Sequence, residues 1–220
     1  MLTASAALAL AITCAPRVSP DTLLSFAYGE SHFRPLAIHD NATGRTIEPA
    51  TQAEAELIAA TLITEGHRPD LGFMQISSAN LARAGLTISS AFDPCSSMRA
   101  GAEILTADWL ACTGGRVPAD LHAAFACAAS RYNTGNPTAG IANGYSANLF
   151  RVAGYVVPSI AGADKTDHPI APATPAAPSC APAWDPWAVA ECNAERAKAP
   201  AAPAPQKQAV ITLEAESSNQ

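Results

Sequence analysis

Between Ala161 and Pro205, alanine and proline recur so densely that no regular element can run through the segment. Each proline removes a backbone donor and fixes φ, which favours extended, polyproline-like chain over helix or sheet. The 220 residues therefore divide into a domain over residues 1–160 and an unstructured Ala/Pro-rich tail over 161–220. A domain of that length can close a hydrophobic core without help from cross-links. Within the tail, Trp184-Asp185-Pro186-Trp187-Ala188-Val189-Ala190-Glu191-Cys192 reads as a short helix, with Asp185 as cap and Pro186 in its first position. Its two tryptophans are either a docking epitope or a patch folded back on the domain.

Punctuation in the first 160 residues is helical. Ser19-Pro20 opens a helix that ends near Glu30, and Thr51-Gln52-Ala53-Glu54 is a capping box for one that stops at Gly66. Asp93-Pro94 starts another, carrying Met98, Ile104, Leu105 and Trp109 toward Gly114. Further helical patterns cover Ser77–Ala84, Pro118–Arg131 and Gly144–Val157. Sheet is expected at one place, where Leu36-Ala37-Ile38 faces Arg45-Thr46-Ile47 across the turn residues Asp40–Gly44. The pattern describes a mainly α domain with one small β-ribbon.

The stretch Leu2–Ile12 is apolar but no Lys or Arg precedes it, so it reads either as an incomplete export signal or as the first helix of the domain. It is too short to span a bilayer, and no stable membrane insertion is expected. Six cysteines, at 14, 95, 112, 127, 180 and 192, form an even set without zinc-site spacing. They suit an oxidising compartment, with Cys180 and Cys192 belonging to the tail and the other four to the domain. A net charge of −6 with 15% charged residues excludes nucleic acid as a partner, since phosphate binding needs clustered Lys and Arg.

Three separated motifs carry the chemistry: Glu30-Ser31-His32-Phe33-Arg34-Pro35, Gly72-Phe73-Met74-Gln75-Ile76, and Ser130-Arg131-Tyr132-Asn133-Thr134-Gly135. In that order they resemble the soluble-type, goose-lysozyme-like lytic transglycosylases, and within them the subfamily associated with type IV secretion and conjugation machines. The resemblance covers residues 14–158 and departs from the family pattern at Phe73, where Leu is usual, and at Ser77 and Ser78, where Asn is usual. It implies an α+β lysozyme-like fold, a periplasmic location, peptidoglycan glycan strands as substrate and secretion-system components as partners of the tail. It also implies that Glu30 is catalytic and that Ser31, Gly72, Met74, Gln75, Tyr132, Asn133 and Tyr145 line the substrate groove.

The residue chemistry is compatible with those roles. Glu30 at a helix C-terminus, beside Tyr28 and Phe33, is expected to have a raised pKa from the helix dipole and from desolvation. Gln75 offers donor and acceptor to sugar hydroxyls and acetamido groups, and Gly72 would admit a close backbone approach. Tyr132 could hydrogen-bond Glu30, Asn133 could hold substrate, and Tyr145 in Asn143-Gly144-Tyr145 could stack on a sugar or simply pack.

Hydrolysis of a glycoside normally needs a second carboxylate. Asp40, Glu48, Glu65 and Asp70 are available, but none sits in a motif. The resemblance removes the requirement, because in such enzymes one Glu protonates the leaving oxygen and then helps the muramic acid C6 hydroxyl attack its own C1. No metal or cofactor is expected, the five histidines having no ligand spacing. A Cys127–His122 thiol–imidazole pair, as in cysteine peptidases, is the weakest alternative. A water-using goose-type lysozyme and a catalytically idle glycan-binding scaffold are the stronger ones.

Overall fold

The computed structural model describes residues 1–163; the sequence features of the tail, including Cys180, Trp184, Trp187 and Cys192, lie outside them. Helices α1 (Ala4–Cys14) and α2 (Pro20–Ser31) come first, followed by strands β1 (Ile38–Asp40) and β2 (Arg45–Ile47). After α3 (Gln52–Thr64) come β3 (Asp70–Leu71) and β4 (Ile76–Ser77). The rest is helical: α4 (Ile88–Ala91), α5 (Pro94–Thr113), α6 (Leu121–Thr134), α7 (Ala139–Ala142) and α8 (Tyr145–Ala163).

Local chemistry sets most of these boundaries. Asp93 accepts from Ser96 N at 2.8 Å to start α5, and Asp120 accepts from Ala123 N at 2.9 Å to start α6. Left-handed Gly114 and Gly135 close the same two helices. At the head of α3, Thr51 caps Glu54 N as the box requires, but the Glu54 carboxylate reaches one residue further back, to Ala50 N at 2.8 Å.

The expected ribbon forms, two residues further on in its first strand, with Ile38 opposite Ile47 and Asp40 opposite Arg45. It is half of a larger antiparallel sheet of order β2-β1-β3-β4. The helix expected over Ser77–Ala84 is absent. Ser77 instead pairs with Asp70, Ser78 N bonds Pro69 O at 2.8 Å, and only a single 3-10 turn, Ser78–Asn80, follows. Cross-strand pairing outcompetes a short, serine-led segment of modest helix propensity.

Of the two readings of the N-terminal stretch, the domain helix holds. In α1, Ala7 and Ala11 are fully buried, and Cys14 at its end is disulfide-bonded to Cys95 at the start of α5. A second disulfide, Cys112–Cys127, ties the end of α5 to the middle of α6. Cys127 is therefore no thiol nucleophile, which removes the peptidase alternative. The core is built on Leu23, Leu24 and Phe26 of α2, Ile38, Leu71, Phe73 and Met74 around the sheet, Met98 of α5 and Leu149 of α8. Among the described residues no helix is long and apolar enough to cross a membrane.

The two cross-links differ in the loop they close, 81 against 15 residues apart. Loop-closure entropy then ranks them: about 4 to 5 kcal/mol for Cys14–Cys95 and about 3 kcal/mol for Cys112–Cys127. Urea unfolding of the two paired Cys→Ala variants checks the order, and equal losses would contradict it.

Candidate active site

Glu30 sits in the last turn of α2, one residue before the helix stops at Ser31. The stop is abrupt because His32 and Phe33 both adopt left-handed backbone, with φ of 53° and 60°. Gln75, in the β3–β4 turn, is the only other non-glycine residue among those described with positive φ, at 48°. Backbone strain of this kind persists only where the surroundings enforce it, and functional sites collect it. Here all three strained positions fall inside the first two motifs.

Those motifs are locked together from behind. The Ser31 hydroxyl donates to Phe73 O at 2.7 Å and lies 3.0 Å from Ala27 O, and it accepts from Arg34 N at 3.2 Å. The rings of Phe33 and Phe73 stack at 6.0 Å. Met74 is fully buried and fills space left by Gly101 of α5, where a Cβ would come within 2.7 Å of its side chain. Gly72 is left-handed, and a Cβ there would lie 2.0 Å from the Ala91 carbonyl. Its close approach is thus to the protein's own backbone, not to a glycan. Gly72 and Met74, expected in the groove, are turned into the packing that supports it, whereas Ser31 lines a cleft beside Glu30 with its hydroxyl held by backbone.

Tyr132 also differs from its expected part. Its hydroxyl donates to Met74 O at 2.8 Å and its ring meets Phe26 edge-on at 5.0 Å, so it ties the third motif to the second. The phenol that donates to Glu30 Oε1 is Tyr145, the first residue of α8. Asn143 just before it accepts from Tyr145 N at 2.9 Å and donates to Asn133 Oδ1 at 3.1 Å. Gln75 Nε2 donates to Gly72 O at 2.8 Å and Ala37 O at 3.0 Å. Its amide nitrogen is thereby committed to shaping the turn.

Two adjoining clefts, of about 570 and 450 Å³, share Glu30, Asn41, Asp70, Gln75 and Asn133. Together they make one groove with Glu30 at its middle. One arm runs toward Arg83, Asp108 and Arg131, the other toward Arg34, Thr46 and Glu48. Lined mainly by amides, hydroxyls and charged side chains, it suits an extended, hydroxyl-rich ligand.

Burial pushes the Glu30 carboxyl up to about 7, the Tyr145 hydrogen bond pulling it down and the charge of Asp70 pushing it further up. Desolvation, rather than the helix end, is the leading cause. Burial and the neighbouring acid raise Tyr145 and Tyr132 well above the ordinary phenol value, so both stay donors at neutral pH. A carboxylic acid half-protonated near neutrality can give a proton and later take one back.

Of the other acids, Asp40 is buried and bound to Thr43, Ala42 N and His67, and Glu48 pairs with Arg34 at 2.7 Å. Glu65 caps α3 away from the groove. Asp70 alone of the four shares both clefts with Glu30. The sequence singled it out no further than as one of four carboxylates outside any motif, because nothing local marks it; only the β1–β3 pairing, with Asp70 opposite His39, brings it to the groove.

The transglycosylase SLT domain family matches residues 7–149. Protein virB1 of Agrobacterium fabrum (strain C58) is 37% identical over 174 residues, covering 79% of this chain and 67% of its own length. Protein virB1 of Rhizobium radiobacter is 37% identical over 155 residues, 70% of this chain and 64% of its own. The type IV secretion system protein virB1 of Brucella suis biovar 1 is 34% identical over 168 residues, with shares of 74% and 66%. The chain thus spans about two thirds of the length of these relatives. No solved structure matches.

Carbon NMR of the labelled carboxyl should show Glu30 titrating at about 7. Tyr145→Phe removes a hydrogen bond that favours the charged form, so the midpoint should rise. A midpoint that falls or stays put would contradict the assignment of Tyr145 as its partner.

Proposed function

This chain belongs to the SLT-domain lytic transglycosylases, in their type IV secretion branch, and we propose that it cuts the MurNAc-β-1,4-GlcNAc bond of peptidoglycan to leave 1,6-anhydromuramic ends. The observation that carries the reading is Glu30, a carboxyl held protonated up to about pH 7 at the middle of a polar groove. Protonated Glu30 donates to the glycosidic oxygen as the C1–O4 bond breaks. The resulting carboxylate then accepts the C6 hydroxyl proton as that oxygen closes on C1. An intramolecular nucleophile has a high effective concentration, so the step proceeds without an activated water. Tyr145 keeps the carboxyl oriented in both states, donating to Glu30 throughout.

Cutting at this site would open murein locally for a secretion apparatus. Two disulfides in the domain support an oxidising working compartment such as the periplasm. The tail over 161–220, with Trp184 and Trp187, is proposed to recruit the enzyme to partner proteins of that apparatus, since tryptophan is enriched among the residues that anchor interfaces. An idle scaffold has no use for a carboxyl held neutral at a cost in stability, and that cost favours the enzymatic reading.

Glu30→Gln keeps shape and polarity but removes the transferable proton, so murein cleavage should fall by about a hundredfold to ten-thousandfold with the fold intact. Mass spectrometry of a wild-type digest should be dominated by anhydro ends, one water lighter than reducing ends. Full activity in folded Glu30→Gln would overturn the mechanism.

Truncation after Ala163 should leave cleavage by the purified domain unchanged while reducing function in the cell. If specific activity and melting temperature fall together instead, the tail is structural cover and the recruitment role is withdrawn.

A further inference from the structure

Resting on that reading of Glu30, we propose that Asp70 is a second working carboxylate, which positions and deprotonates a water in the same groove and gives this enzyme a hydrolytic branch beside the anhydro route. Asp70 begins β3 on the sheet side of the groove, whereas Glu30 ends a helix on the other, and both line each of its two arms. Its carboxylate is oriented. Asn41 Nδ2 donates to Asp70 Oδ2 at 2.9 Å and to Arg68 O at 2.8 Å, and the Ser77 side chain bonds it from the paired strand. Nothing in the fold uses Asp70 as a structural ion pair: the salt bridges among the described residues are Arg34–Glu48, His67–Asp40 and Arg131–Asp108.

A fixed carboxylate sharing a groove with a general acid is the arrangement by which glycosidases use water. The step balances. The Glu30 proton goes to the leaving O4 as the C1–O4 bond breaks, and a water oxygen bonds C1 as its proton passes to Asp70. Asp70 then returns that proton to solvent and Glu30 regains one. The product is a reducing-end muramic acid, and its yield depends on how often water reaches C1 before the C6 hydroxyl does.

The test is a murein digest by the full chain, with products treated with borohydride, which reduces hydrolytic ends to muramitol and leaves anhydro ends untouched. The wild type should give a minor but measurable muramitol fraction. In Asp70→Asn the ratio of muramitol to anhydro ends should fall at least about tenfold, consistent with loss of a general base. Asn41→Ala, which frees the carboxylate without removing it, should lower the ratio in the same direction and guards against a folding defect in the first variant. No muramitol in the wild type, or an unchanged ratio in both folded variants, would overturn the proposal. A digest made wholly of muramitol ends would overturn the anhydro route of the preceding reading, and Asp70→Asn would then have to lose cleavage as a whole if this inference is correct.

Discussion

Keeping a carboxylic acid neutral at pH 7 is work done against solvation, and the domain is organised around that expense. A Glu30 pKa of about 7 against 4.5 for the free side chain means that the folded protein holds a proton the unfolded chain has already released. Stability from this group is therefore full below about pH 4.5 and declines as pH rises through 7, by up to about 3 kcal/mol at about 1.4 kcal/mol per unit. The groove must be dry enough to raise the acid yet open enough to admit a glycan. The answer is a rigid back wall, in which Ser31, Phe33, Phe73, Met74 and Tyr132 bind one another, and a polar front.

This division of labour explains why some motif residues, Phe33, Phe73 and Met74 among them, are buried behind the groove while others line it. The Ser31–Phe73 bond crosses from the first motif to the second, and the Tyr132–Met74 bond crosses from the third to the second. Each is a side-chain hydroxyl on a backbone carbonyl, which fixes separation and direction where apolar packing alone would leave slack. The strained backbone at His32, Phe33 and Gln75 is then a result of closing the wall at small radius.

The helices were legible because their signals are local. Ser19-Pro20, Asp93-Pro94 and the glycines at 114 and 135 act within one turn of where they stand. Glu30, the proposed acid, stands out in the sequence through its motif. Two things do not. The second hairpin is hidden because Asp70-Leu71 and Ile76-Ser77 are strands of two residues each, too short for any alternation to register, and they exist only by pairing, β3 with β1 and β4 with β3. The partner of Glu30 was misassigned for a similar reason. Tyr132 stands next to Asn133 and Tyr145 two residues after Asn143, and which of them reaches the acid is decided by how α6 and α8 pack on α2, a property no single window contains.

The bond from Tyr145 to Glu30 spans 115 residues, and this orders events in the life of the chain. The acid is made early and its partner late, at the head of the last described helix, α8, which packs along α2. A growing chain that has already released α2 still lacks the donor that orients its carboxyl, and gains it only when the whole domain has been delivered and α8 has docked. A fragment that ends before α8 therefore carries the Glu30 carboxyl without its phenol donor.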